Sequence, residues 1–230
     1  MKPFALAAAL ALAAYAAPAG AGNIVTNGSF EIGRDGLMGW SLTGGHAGYP
    51  VVSILYGAAA AYPTGAFGEA VAANNIFSNT PDAVGRRAAY FVDDFALGHS
   101  LSQQVYLDPG RYEIGFDAYA PSNGYRNPGD AQFTAIVAGV PMANYLISSG
   151  PATTWQNFYG HTEITTAGLY DVSFTFTTKQ APSKDVVIDR VYIVGCDDGS
   201  CVRTPEPASA ALLGAALVAM GVLHRRRRRR

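Results

Sequence analysis

Cysteine, histidine and charge are scarce in this sequence. Two cysteines, four histidines and 14% charged residues stand among 230 positions. Cys196 and Cys201 have no third or fourth soft ligand nearby in sequence, which disfavours metal binding by this pair. His46, His99 and His161 lack metal-ligand spacing, and His161-Thr162-Glu163 is not an H-E-x-x-H motif. No G-x-S-x-G elbow and no phosphate-binding glycine loop occurs. The acid pairs at Asp93 and Asp197 are adjacent residues that point to opposite faces of a strand, so they cannot face one another across a glycosidic bond and read as solvated turn or edge acids. No internal repeat is present. A sustained 3.6-residue period is also absent between the two ends, residues 65–77 (GAFGEAVAANNIF) being readable as a short helix or a loop.

The two ends differ from everything between them. After Lys2 an apolar stretch leads into AGAG, with Ala19 and Ala21 spaced as signal peptidase requires, so residues 1–21 read as a signal helix cleaved after Ala21. Ala208 to Leu223 is a run of 16 uncharged residues, about 24 Å as a helix, and is followed by six arginines. In an exported chain those arginines would stay on the cytoplasmic side of a hydrophobic helix rather than form a polyanion-binding tail. Between residues 22 and 204 lie nine basic and sixteen acidic residues, a formal charge of −7. Such a body argues against nucleic acid as a partner. Cys196 and Cys201 bracket Asp-Asp-Gly-Ser, and in an oxidising compartment they are expected to pair, closing a small loop for a chain-entropy gain of about 2 kcal/mol.

Alternation dominates this body. In RYEIGFDAY (111–119), Tyr112, Ile114, Phe116 and Ala118 share one face; Arg111, Glu113, Asp117 and Tyr119 share the other, expected to be wet. LYDVSFTFTT (169–178) has the same phase. Further strands are expected at 24–25, 40–42, 51–55, 88–91, 101–105, 132–138, 145–147, 155–164 and 186–194, separated by turn signals at Asn27, Asp108, Asn127 and Ala167. Many short strands without interleaved helices predict an all-β, two-sheet antiparallel sandwich over residues 22–203, with the terminal helices outside it. Trp40 and Trp155 are expected in the core.

Pro205-Glu206-Pro207, an apolar helix and an arginine cluster over residues 204–230 resemble the PEP-CTERM sorting signal of Gram-negative bacteria. The resemblance implies an exosortase that cuts near the motif. It also implies transient attachment to the inner membrane and delivery to the cell surface or an extracellular polysaccharide matrix. The opening NIVTNGSFEIG with Gly39-Trp40, and the closing VVIDRVYIV, resemble galactose-binding-like jelly-roll modules, including carbohydrate-binding ones. That resemblance spans residues 23–195 and specifies the fold better than the ligand.

By the same resemblance Glu31 and Asp189 would hold a structural Ca²⁺ with backbone carbonyls, for which Gly33 and Gly85 are candidates. Pairing of Asp189 with an arginine, or a turn-capping role, is the alternative. Arg190 stands where such modules often carry Asp or Asn, which would weaken a calcium site. For a sugar, Tyr49, Tyr119 and Tyr125 with Asn123, Arg126 and Asn127 supply rings to stack and polar groups to fix hydroxyls, much of this set lying in the polar loop PSNGYRNPGD. The expected function is a non-catalytic, carbohydrate-binding surface protein. The alternatives are a purely structural matrix protein and a polysaccharide-active enzyme with facing carboxylates.

Overall fold

The computed structural model describes residues 22–44 and 48–196. The expectations for the signal helix, His46, Asp197, Cys201, Pro205, Glu206, Pro207 and the C-terminal helix lie outside the described residues. Among the described residues no helix is long and apolar enough to cross a membrane.

Among the described residues ten strands form: β1 (Ser41–Thr43), β2 (Val52–Leu55), β3 (Arg87–Phe91), β4 (Leu97–Leu107), β5 (Gly110–Tyr119), β6 (Ala131–Val137), β7 (Val140–Leu146), β8 (Gln156–Ile164), β9 (Gly168–Thr178) and β10 (Val186–Gly195). They pair, antiparallel throughout, into a first sheet ordered β1-β4-β9-β6-β7 and a second ordered β2-β3-β10-β5-β8. The chain passes from one sheet to the other between β1 and β2, β3 and β4, β4 and β5, β5 and β6, and at every step from β7 to β10. These repeated crossings make the two-sheet sandwich a jelly roll.

The inward rows are the ones the alternation marks. Tyr112, Ile114, Phe116 and Ala118 of β5 meet Val172, Phe174 and Phe176 of β9 in the principal core. Phe116 lies edge-on to Phe174 at 5.1 Å between ring centres and stacks on Phe158 of β8 at 4.8 Å. Fully burying one such ring contributes roughly 1.5–3 kcal/mol. Trp40 is also buried here, its indole N–H donating to the Asn27 carbonyl at 3.0 Å. Gly28 permits this corner: its carbonyl accepts the Val191 N–H at 2.9 Å, and a Cβ there would lie 1.9 Å from the Val191 oxygen.

Three expectations about elements change, and one open reading is decided. Residues 24–25 are not a strand. The Ile24 N–H does donate to the Ile193 carbonyl at 2.9 Å, but the Asn23 side chain takes the Ile193 N–H at 3.1 Å, so a side chain stands where a ladder bond would form. Residues 145–147 are the end of the longer β7 and the start of a 3-10 turn, Ile147–Ser149. Pro141 hides this strand in the sequence and is tolerated because β7 is an edge strand. Residues 65–77, readable either way from sequence, are loop, and among the described residues the single α-helical turn is α1, Ser122–Tyr125, where no helix was expected.

The third change concerns β10. Strict alternation over 186–194 would put Val187, Asp189, Val191 and Ile193 on one face, but the register slips between Asp189 and Tyr192. Arg190 sits in the bulge at φ +53. Val187 and Asp189 therefore face away from the principal core, whereas Val191 and Ile193 face into it.

Candidate functional site

The 31 residues joining β2 to β3 fold back over the outer face of the second sheet. Ala66 and Val71 of this connection join Ile54, Tyr90, Tyr119, Trp155 and Val187 in a second apolar cluster. The face expected to be wet is consequently buried: Glu113, Asp117 and Tyr119 all lose their solvent. Tyr119, expected to meet a ligand, packs on Trp155 at 5.2 Å.

The covered face contains charge. Asp117 and Asp189 are register partners on β5 and β10, and both are completely buried. Asn74 of the connection donates to Asp117 at 2.7 Å and to Asp189 at 3.4 Å. Asn157 donates to Asp117 at 2.6 Å, and the Tyr56 hydroxyl donates to Asp189 at 2.5 Å. The Arg190 guanidinium lies 3.9 Å from Asp117 and donates to the carbonyls of Asn74 and Ile76 at 3.5 and 2.9 Å. Desolvation raises Asp117 and holds Asp189 well above the usual carboxylate range. Oδ1 of Asp189 and Oδ1 of Asn74 have no hydrogen-bond partner. A proton on Asp189 turns one orphaned acceptor into a donor, which agrees with its raised pKa.

Asp93, expected as a solvated acid, is likewise buried; it accepts the Phe95 N–H at 2.8 Å and approaches His99 Nε2 at 3.3 Å. These facing or clustered carboxylates have no open cleft above them, as a glycosidase pair needs.

The residues named for calcium separate into two groups. One Glu31 oxygen accepts the amides of Arg86 and Arg87, both at 2.6 Å, beside Gly85. Asp189 is held by Tyr56 and Asn74 instead, and Gly33 lies against Met38. Glu31 and Asp189 share no hydrogen-bond partner. No group of three or more His, Cys, Asp or Glu able to hold a metal occurs among the described residues. Each carboxylate is engaged by protein donors through one oxygen, Glu31 by backbone amides and Asp189 by Tyr56 and Asn74.

Of the residues named for sugar binding, Tyr125 donates its hydroxyl to the Gly150 and Ser148 carbonyls at 3.0 and 3.2 Å under the Lys184 ammonium. Asn127 donates to the Ser183 carbonyl at 2.6 Å, and Arg126 is exposed nearby. Tyr125 and Asn127 therefore brace α1 against the segment before β10.

Tyr49 and Asn123 converge elsewhere, on Phe67 at the tip of the β2–β3 connection. Residues 66–69 form a two-residue turn closed by the Glu69 N–H donating to the Ala66 carbonyl at 3.0 Å. Both central residues have positive φ, Phe67 at +48° and Gly68 at +87°. This is the primed geometry of tight hairpins, natural for glycine and strained for a bulky side chain. Phe67 is 47% exposed. Its ring stacks on Tyr62 at 5.7 Å with planes 12° apart, and Tyr49, 40% exposed, lies 5.3 Å from Tyr62. Burial pushes the Tyr62 hydroxyl up to about 12, and it donates to the Pro50 carbonyl at 2.7 Å. Asn123 donates to the Phe67 carbonyl at 3.1 Å, and Glu69 accepts the Ser122 and Asn123 amides. Three aromatic rings flanked by amide and carboxylate groups form a surface that could stack sugar rings. Sequence reasoning missed Tyr62 and Phe67. The Phe-Gly dipeptide at 67–68 was the one signal available.

No protein-family model and no curated protein sequence matches the chain. Among solved structures, the chain is similar to the module TmCBM61 in complex with beta-1,4-galactotriose, at 19% identity and TM-score 0.45, covering 75% of this chain and 98% of that one. It is also similar to a family 16 carbohydrate-binding module, at 17% identity and TM-score 0.39, covering 75% and 99%. A third likeness is to the CBM22-1 xylan-binding domain of Paenibacillus barcinonensis Xyn10C, at 15% identity and TM-score 0.40, covering 77% and 97%.

Proposed function

We propose that the chain is an exported, non-catalytic β-sandwich that binds extracellular polysaccharide through the Tyr49–Tyr62–Phe67 platform. The observation carrying this reading is Phe67: a bulky ring held at positive φ and turned to solvent is a local cost that folding alone does not require. The galactotriose and xylan named for the similar modules set the first ligands to try. Export by residues 1–21, a Cys196–Cys201 bridge, and exosortase processing at Pro205-Glu206-Pro207 with transient inner-membrane attachment complete the proposal. They would deliver the body to the surface or matrix of a Gram-negative cell.

Affinity electrophoresis of the full chain in β-1,4-galactan and xylan gels, extended to a glycan array, tests the reading. Phe67→Ala and Tyr49→Ala are expected to weaken binding about tenfold each, the worth of one stacked ring. An array without signal, or binding indifferent to both substitutions, would favour the purely structural matrix protein. Release of reducing ends from any bound glycan would establish an enzyme instead.

A further inference from the structure

Beside the aromatic platform lies a cleft of about 430 Å³ whose lining includes Pro50, Pro63, Arg34, Asp35 and Arg87. Pro50 and Pro63 directly follow Tyr49 and Tyr62, and the Tyr62–Pro50 hydrogen bond ties the two segments together, so platform and cleft share a wall. Among the described residues the guanidiniums of Arg34 and Arg87 form no salt bridge or hydrogen bond. The acids nearby are already engaged by backbone amides: Asp35 accepts the Leu37 N–H at 3.1 Å, and Glu31 accepts those of Arg86 and Arg87. Two guanidiniums without a partner in the fold thus line one cleft of a body with sixteen acidic and nine basic residues.

We propose that the ligand is an anionic polysaccharide, with a sugar ring on Tyr49 and Phe67 and its acidic substituent between Arg34 and Arg87. The inference rests on the carbohydrate-binding reading and names the substrate class of that site. A planar carboxylate suits the guanidinium fork, and a sulfate ester offers the same charge and oxygen geometry. Neither ion needs a metal.

Binding of the full chain to polygalacturonate, its methyl-esterified form, dextran sulfate and β-1,4-galactan tests the inference by titration calorimetry at low and high salt. The acid form, the sulfated chain or both should bind about tenfold more tightly than the neutral chains and weaken as salt screens the charges. Which of the two is preferred separates carboxylate from sulfate. Arg34→Ala, at an exposed position, should remove that preference with an unchanged thermal midpoint. Arg87→Ala should do the same, and Arg111→Ala, on β5, should not. Equal affinity for the anionic and the neutral chains, or a preference that survives Arg34→Ala, would overturn the inference. Neutral galactan binding lost in Phe67→Ala alongside such equality would leave the carbohydrate-binding reading standing. Absence of binding to all four chains would end both.

Discussion

The outer faces of the two sheets are built from the same alternating strands and have opposite fates. On the first sheet Ser102 and Gln104 of β4 lie across from Ser173 and Asp171 of β9, in contact with solvent, and Gln104 donates to Asp171 at 3.0 Å. On the second, Glu113, Asp117, Asp189 and Tyr119 occupy the corresponding outward positions and are buried under the β2–β3 connection. A polar outward row therefore does not by itself mark a wet face. What covers it decides, and here the cover is a loop with its own apolar residues.

If the covered face contributes a second core, the largest loss should come from its central ring. Trp155 packs against Tyr56 and Tyr119 and donates to the Ala72 carbonyl at 2.8 Å. Trp155→Ala is expected to cost about 3–5 kcal/mol in urea unfolding. A cost within 0.5 kcal/mol, the usual range of surface substitutions, would mean the connection contributes little.

The pH dependence should also come from this side. Burial raises Asp185 from 3.8 to about 7, against the Tyr90 hydroxyl that donates to it. Because the folded value lies above the unfolded one, the folded state binds the extra proton. The associated stability is full below about pH 4 and lost as pH rises through about 7. The whole swing is at most about 4 kcal/mol. Thermal midpoints should fall across that window, and Asp185→Asn should flatten the fall; an unchanged slope would place the titrating group elsewhere.

Tyr56→Phe removes the hydroxyl that satisfies Asp189 and should cost about 1–3 kcal/mol. Ser173→Ala, on the open face, should change stability by less than about 0.5 kcal/mol. Equal effects of these two substitutions would erase the distinction between the faces.

The same contrast explains what could be read from sequence. β5 and β9 were legible because one side of each carries a regular apolar row. The burial of the other side of β5 was not, since residues 57–86 have no period that announces a covering layer. The slip at Arg190 was hidden because a bulge shifts facing without changing composition. Tyr49 and Asn123 were legible as exposed polar or aromatic loop residues. Their meeting at Phe67 depends on a turn whose first central residue is not the glycine the pattern favours.

The chain's two tryptophans fall one to each hydrophobic layer, Trp40 between the sheets and Trp155 beneath the connection. The protein thereby carries a separate intrinsic fluorophore for each. With either indole replaced by phenylalanine, the emission of the other reports whether the sandwich and its cover come apart in one cooperative event or in succession.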